Sequence, residues 1–161
     1  MPSPLLLFGI SIALSFLAWS VLCVSYVWPR LRGLALQDAA RPILFLHTFR
    51  FVGLAFLIPG VVNPALPFAF AAPAAYGDLV ALALAWLALA LRHRPGSVAA
   101  LWVFNIWGTL DLLFAFYNGL ARVRIDPATL SAAFFIPTVP VPLLLCTHAV
   151  LFALLLRERP R

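Results

Sequence analysis

The chain has 161 residues, of which 65% are hydrophobic and only 10% charged, with a net charge of +6 and a mean hydropathy of +1.06. A soluble domain of this length has too little interior to hide so much apolar surface, which excludes an ordinary globular fold. The composition points to an all-α integral membrane protein, a compact bundle of five transmembrane helices forming one domain over residues 1–161, because in hydrocarbon a helix satisfies its own backbone. Unbroken Leu/Ala-rich runs, rather than short alternating segments, argue against a barrel. The basic residues fall in short clusters between apolar runs, the pattern that orients membrane helices rather than one that binds nucleic acid.

The first predicted span, residues 5–28, has no basic side chain before Arg30 and is too long for a signal-peptide core. Trp19, Tyr26 and Trp28 approach its far end, as an interfacial aromatic belt would. Pro29 to Arg41 reads as a polar connector. The second span, residues 42–62, carries His47 and Arg50 and ends in Pro59-Gly60. Asn63 to Ala75 is apolar and uncharged, and is expected to be an interfacial, re-entrant or partner-packed loop. The third span, residues 76–91, places Asp78 in its first turn, where the helix dipole favours an acid. The fourth, residues 98–120, contains Asn105, Asp111 and Asn118. The fifth, residues 130–156, carries His148, and its Pro137, Pro140 and Pro142 must kink it. Cys23 and Cys146 stand alone, with no spacing that suggests a redox pair or a zinc site.

Five spans put the termini on opposite sides, and the arginines say which is which. Arg30, Arg32, Arg41, Arg92, Arg94, Arg157, Arg159 and Arg161 collect on one side, against Arg122 and Arg124 on the other. By the positive-inside rule the N-terminus is outside and the C-terminus cytoplasmic, in a membrane expected to be a bacterial inner membrane.

Charge at membrane depth is costly, so intramembrane ionisable groups face the interior and pair. Arg50 is the one arginine inside a span, and Asp78 and Asp111 are the only acids within apolar segments. At about 1.5 Å rise per residue, His47, Arg50, Asn105 and His148 share the inner half, with the two aspartates at one level further out. Asp111 and Asn118, seven apart, lie nearly in line on the fourth helix. On the second helix His47, Arg50, Leu54 and Leu57 are expected to share a face, with Gly53 beside it. These two faces should look at each other, bringing Arg50 within hydrogen-bonding reach of an aspartate.

Three functional readings follow. The ligand or proton cluster His47, Arg50, Asp78, Asn105, Asp111, Asn118 and His148 could form a small-ligand-binding or transport site for a small hydrophobic or anionic ligand, with Arg50 holding an anionic or polar group. The chain could instead be an accessory structural subunit of a larger membrane complex in the lipid bilayer, with a protein partner or a homo-oligomer as its expected association. His47 and His148, on different helices at similar depth, could also ligate a b-type haem. No HExxH, GxSxG or Gly-rich phosphate loop supports an enzyme, and no metal site is expected. The run Arg50-Phe51-Val52-Gly53-Leu54-Ala55-Phe56-Leu57-Ile58-Pro59-Gly60, followed by Gly77-Asp78, is similar to small DoxX-like membrane proteins. That resemblance implies a small helical membrane fold and carries no site or activity.

Overall fold

The computed structural model describes residues 2–157, so the basic tail beyond Arg157 lies outside the described residues. Five helices are long and apolar enough to cross a membrane: Pro4–Leu31, Leu36–Leu57, Phe68–Ala90, Ser97–Arg122 and Pro127–Arg157. They are numbered first to fifth below.

The second and third helices begin earlier than expected. The polar connector is largely helical. The second helix begins at Leu36, with Asp38 in its first turn where helix N–H groups are unpaired, and runs through Pro42 rather than starting there. The apolar stretch before residue 76 is not a free loop either. From Phe68 onward it forms the opening turns of the third helix, with Phe70, Ala71, Ala72, Ala74 and Ala75 buried. Asp78 therefore sits mid-helix, and the dipole explanation for it falls away.

Pro73 lies inside that helix and has no N–H for the carbonyl four residues back, which is that of Ala69. The Nδ2–H of Asn118 on the fourth helix donates to this Ala69 oxygen at 3.0 Å. Asn118 thus repairs the bond that Pro73 removes and ties the third helix to the fourth.

Two helices depart from regular geometry where they meet the site. After His47 the second helix tightens into a 3-10 helix over Thr48–Leu57, long for a form that seldom exceeds one turn. Residues three apart eclipse one another in this geometry, so Arg50, Gly53 and Phe56 are the buried stripe, in line with His47. Leu54 and Leu57, expected on that face from an α-helical period, are only half-buried. The fifth helix breaks at Val139, directly before Pro140, with a second departure at Ser131 (φ 48°). Trp19 lies not in a terminal belt but against this break, its indole N–H donating to the Val139 carbonyl at 3.1 Å.

Small residues let the helices approach closely. Ala75, Ala81, Ala85 and Ala88 line the buried face of the third helix on either side of Asp78. One apolar cluster, with Leu44, Leu101, Phe104 and Leu151, fills the end where Arg92 meets Asp38 and Arg157 covers Trp28. A second, with Phe8, Phe56, Phe70 and Leu130, fills the other end. The polar residues lie between them.

The Asn118 repair makes a double-mutant prediction. Asn118→Leu should destabilise the bundle by about 1–3 kcal/mol, the cost of stranding a buried carbonyl. In a Pro73→Ala background the helix supplies its own N–H to Ala69, and the same substitution should cost much less. Equal losses in both backgrounds, read by unfolding in detergent, would contradict the repair.

Candidate buried polar site

Arg50 is the centre of the polar layer, its side chain fully buried. Its Nε–H donates to Asp78 Oδ1 at 2.6 Å and its Nη2–H to Asp111 Oδ2 at 2.5 Å. Its Nη1–H reaches the Gly108 carbonyl at 3.3 Å. One guanidinium from the second helix therefore holds a carboxylate from the third and another from the fourth. The expected pairing of Arg50 with an aspartate is present twice over. The carboxylate side chains keep about a tenth of their surface exposed, 11% for Asp78 and 10% for Asp111.

Three glycines make this geometry possible. A Cβ on Gly53 would collide with the Asp78 carboxylate, and one on Gly77 with the Asp111 carboxylate. A Cβ on Gly108 would come within 2.5 Å of the His148 ring and 3.1 Å of Arg50 Nη1. Each glycine clears space for a polar group from a neighbouring helix: second to third, third to fourth, fourth to fifth. Gly53 and Gly77 stand near Arg50 and Asp78 in the sequence, but their spatial purpose appears only in three dimensions.

The histidines form a second layer beside Arg50. Their rings touch, with centroids 4.3 Å apart, and both pack on Phe104. Asn105 clamps His148 from two directions: its Nδ2–H donates to the His148 carbonyl at 3.2 Å. That orientation leaves Asn105 Oδ1 to accept from His148 Nδ1–H at 2.7 Å. The Thr147 hydroxyl donates to the Leu144 carbonyl at 2.9 Å, so its oxygen accepts from His47 Nε2–H at 3.0 Å. These bonds select a tautomer for each ring. His47 is left with a bare Nδ1 and His148 with a bare Nε2, both buried and without a partner among the described residues.

The structure thus brings His47, Arg50, Asp78, Asn105, Asp111 and His148 together, while Asn118 stands apart at the Pro73 repair. Thr147, Gly53, Gly77 and Gly108 complete the layer. Thr147 had a readable signal, since it directly precedes His148 on the same apolar helix. The arrangement does not suit a haem between His47 and His148. A porphyrin would have to lie between two imidazoles that are already in ring contact.

A protein-family model described as "Domain of unknown function (DUF8737)" matches residues 7–156. The chain belongs to that family. The DUF8737 match runs through all five helices and includes every residue of the polar layer. No curated protein and no solved structure matches the chain.

The ion triad and its glycines predict a stability order. Arg50→Met, which strands two buried carboxylates, should cost about 3–5 kcal/mol. Asp111→Asn should cost less, because the remaining Arg50–Asp78 pair is balanced in charge. Unfolding titrations in detergent that rank Asp111→Asn as the more damaging change would contradict this order. Gly77→Ala should also destabilise, by displacing the Asp111 carboxylate, whereas Gly33→Ala, with open space around it, should lack this effect. Equal losses at Gly77 and Gly33 would remove the packing argument.

Proposed function

We propose that the chain is a membrane-embedded five-helix bundle, N-terminus out and C-terminus cytoplasmic, that binds a single positive charge at Arg50, Asp78 and Asp111 and passes it across the bilayer. The observation that carries this reading is the two-to-one pairing of carboxylates with one guanidinium. Two ionised aspartates and one arginine sum to one negative charge, held among apolar helices. Such a charge is strongly unfavourable in a low-dielectric interior unless something neutralises it. A proton on one carboxyl, or a small cation beside both, restores the balance.

The same pairing argues against Arg50 as a receptor for an anion. Three of its five N–H groups are already committed, and its charge is more than matched. A cationic guest replaces the anionic one as the ligand that fits.

Both carboxylates border recesses in the helix surface. Asp111 lines an open groove of about 420 Å³ between the third and fourth helices, beside Tyr76 and Trp107. Asp78 lines a different recess of about 100 Å³ beside Phe49, Gly53 and Pro140. Each carboxylate thus borders a recess of its own, and Arg50 joins them. Irregular backbone adjoins them, namely the 3-10 stretch and the break before Pro140, and ion sites in membrane transporters favour such places. The exposed apolar surface fits a lipid surround: Leu5, Leu14 and Leu17 of the first helix are 59%, 61% and 63% exposed.

Liposomes containing the purified protein and a pH-sensitive dye test the reading. Imposed gradients of protons, sodium or small organic cations should dissipate faster than in empty liposomes for at least one ion. Asp111→Asn, which balances the charge permanently, should abolish the difference. No protein-dependent flux of any cation would contradict the proposal.

A further inference from the structure

We infer that the positive charge taken by the site belongs to a small alkylammonium ion, seated in the aromatic cavity that Asp78 and Asp111 both line. The inference rests on the cation reading above and narrows it to one chemical class. The cavity lies between all five helices and has a volume of about 40 Å³. At about 10–15 Å³ per water-sized group, it takes a guest of roughly two to four heavy atoms.

The walls decide the class. Phe8, Phe56, Phe70 and Phe116 contribute to them from four different helices. Apart from the two aspartates, every lining residue is apolar. No donor side chain is present for an anion. A hard metal cation takes six or more oxygen ligands and sheds its water reluctantly, and this wall offers only two carboxylates. Each of these has one oxygen on Arg50 and the other close against a glycine, Gly53 or Gly77, which leaves lone pairs for a hydrogen bond or two but no coordination shell. A substituted ammonium has the opposite requirements. One or two acceptors satisfy its N–H groups, its carbon atoms prefer an apolar wall, and aromatic faces attract its charge.

The wall is also organised independently of the acids. Phe56 and Phe70 meet edge to face at 5.5 Å, and Phe8 meets Phe134 at 5.7 Å. The Phe70 ring fills the space that a side chain at position 119 would need, 2.9 Å from a Cβ there. The aromatic lining is thus held in shape by contacts of the rings with one another and with Gly119. An aromatic box with carboxylates at one end, short of one positive charge, describes a receptor for an organic cation.

The test is equilibrium binding to the full chain in lipid nanodiscs, by calorimetry and by the shift in unfolding temperature. The probes are ethylammonium and trimethylammonium chloride, with ethanol as the uncharged counterpart and sodium chloride as the inorganic one. The ammonium ions should bind saturably and raise the unfolding temperature, while ethanol and sodium should not. Asp111→Asn should weaken ammonium binding by about tenfold or more, since it removes a charged acceptor. Ala115→Leu, which fills the cavity and leaves the ion triad in place, should weaken it similarly. Ammonium binding that Ala115→Leu does not change would overturn the cavity assignment. Sodium binding or proton flux without ammonium binding would overturn this inference and leave the cation reading standing. Failure of every cation to bind or pass would remove both.

Discussion

Everything in this bundle is arranged around the burial of one guanidinium. Arg50 cannot sit among apolar helices without partners, and the third and fourth helices each deliver one. To bring two carboxylates onto one arginine, three helices must approach more closely than ordinary side chains allow. Gly53 and Gly77 provide that approach, and the alanine face of the third helix extends it along the helix in both directions. The 3-10 winding of the second helix belongs to the same solution. It stacks Arg50 over Gly53 and Phe56, so the arginine and the glycine that makes room for its partner lie on one line.

The histidine layer is built by different means. Backbone carbonyls of the fifth helix, at Leu144 and His148, fix the orientation of Thr147 and Asn105, and these in turn fix the tautomers of His47 and His148. The outcome is two acceptor nitrogens with no donor, adjacent to an arginine that still has uncommitted N–H groups. Buried acceptors without partners are uncommon and costly, and these two lie in the layer beside the charged triad.

Part of this is legible in the sequence. Five apolar runs sufficed to mark five helices long and apolar enough to span, because such helices are declared by length and by what interrupts them. Arg50 had only Asp78 and Asp111 to meet, so scarcity of partners made the pairing readable. Other features were hidden for physical reasons. A polar segment such as Leu36–Arg41 and an apolar one such as Phe68–Ala75 both look unlike a standard span start, yet tertiary packing makes both helical. The misassigned Leu54 and Leu57 come from reading an α-helical period into a stretch that is wound more tightly. The ring contact of His47 with His148 depends on how the second and fifth helices cross, which no spacing encodes. Asn118 was hidden by the early start of the third helix. With residues 63–75 taken as a loop, Pro73 strands no helical carbonyl, and only the helical start at Phe68 makes Asn118 the donor to Ala69 rather than a member of the ligand cluster.

The most direct measurement is the infrared spectrum of the aspartate carboxyls in nanodiscs, with isotope-labelled aspartate and with added cations removed. A single unbalanced negative charge in the triad requires a proton in its place. The account predicts a protonated carboxyl band that is absent in Asp111→Asn. Adding the cation that binds should convert this band to the ionised form. Two ionised carboxylates beside Arg50, with no cation bound and no change on adding one, would contradict the account at its centre.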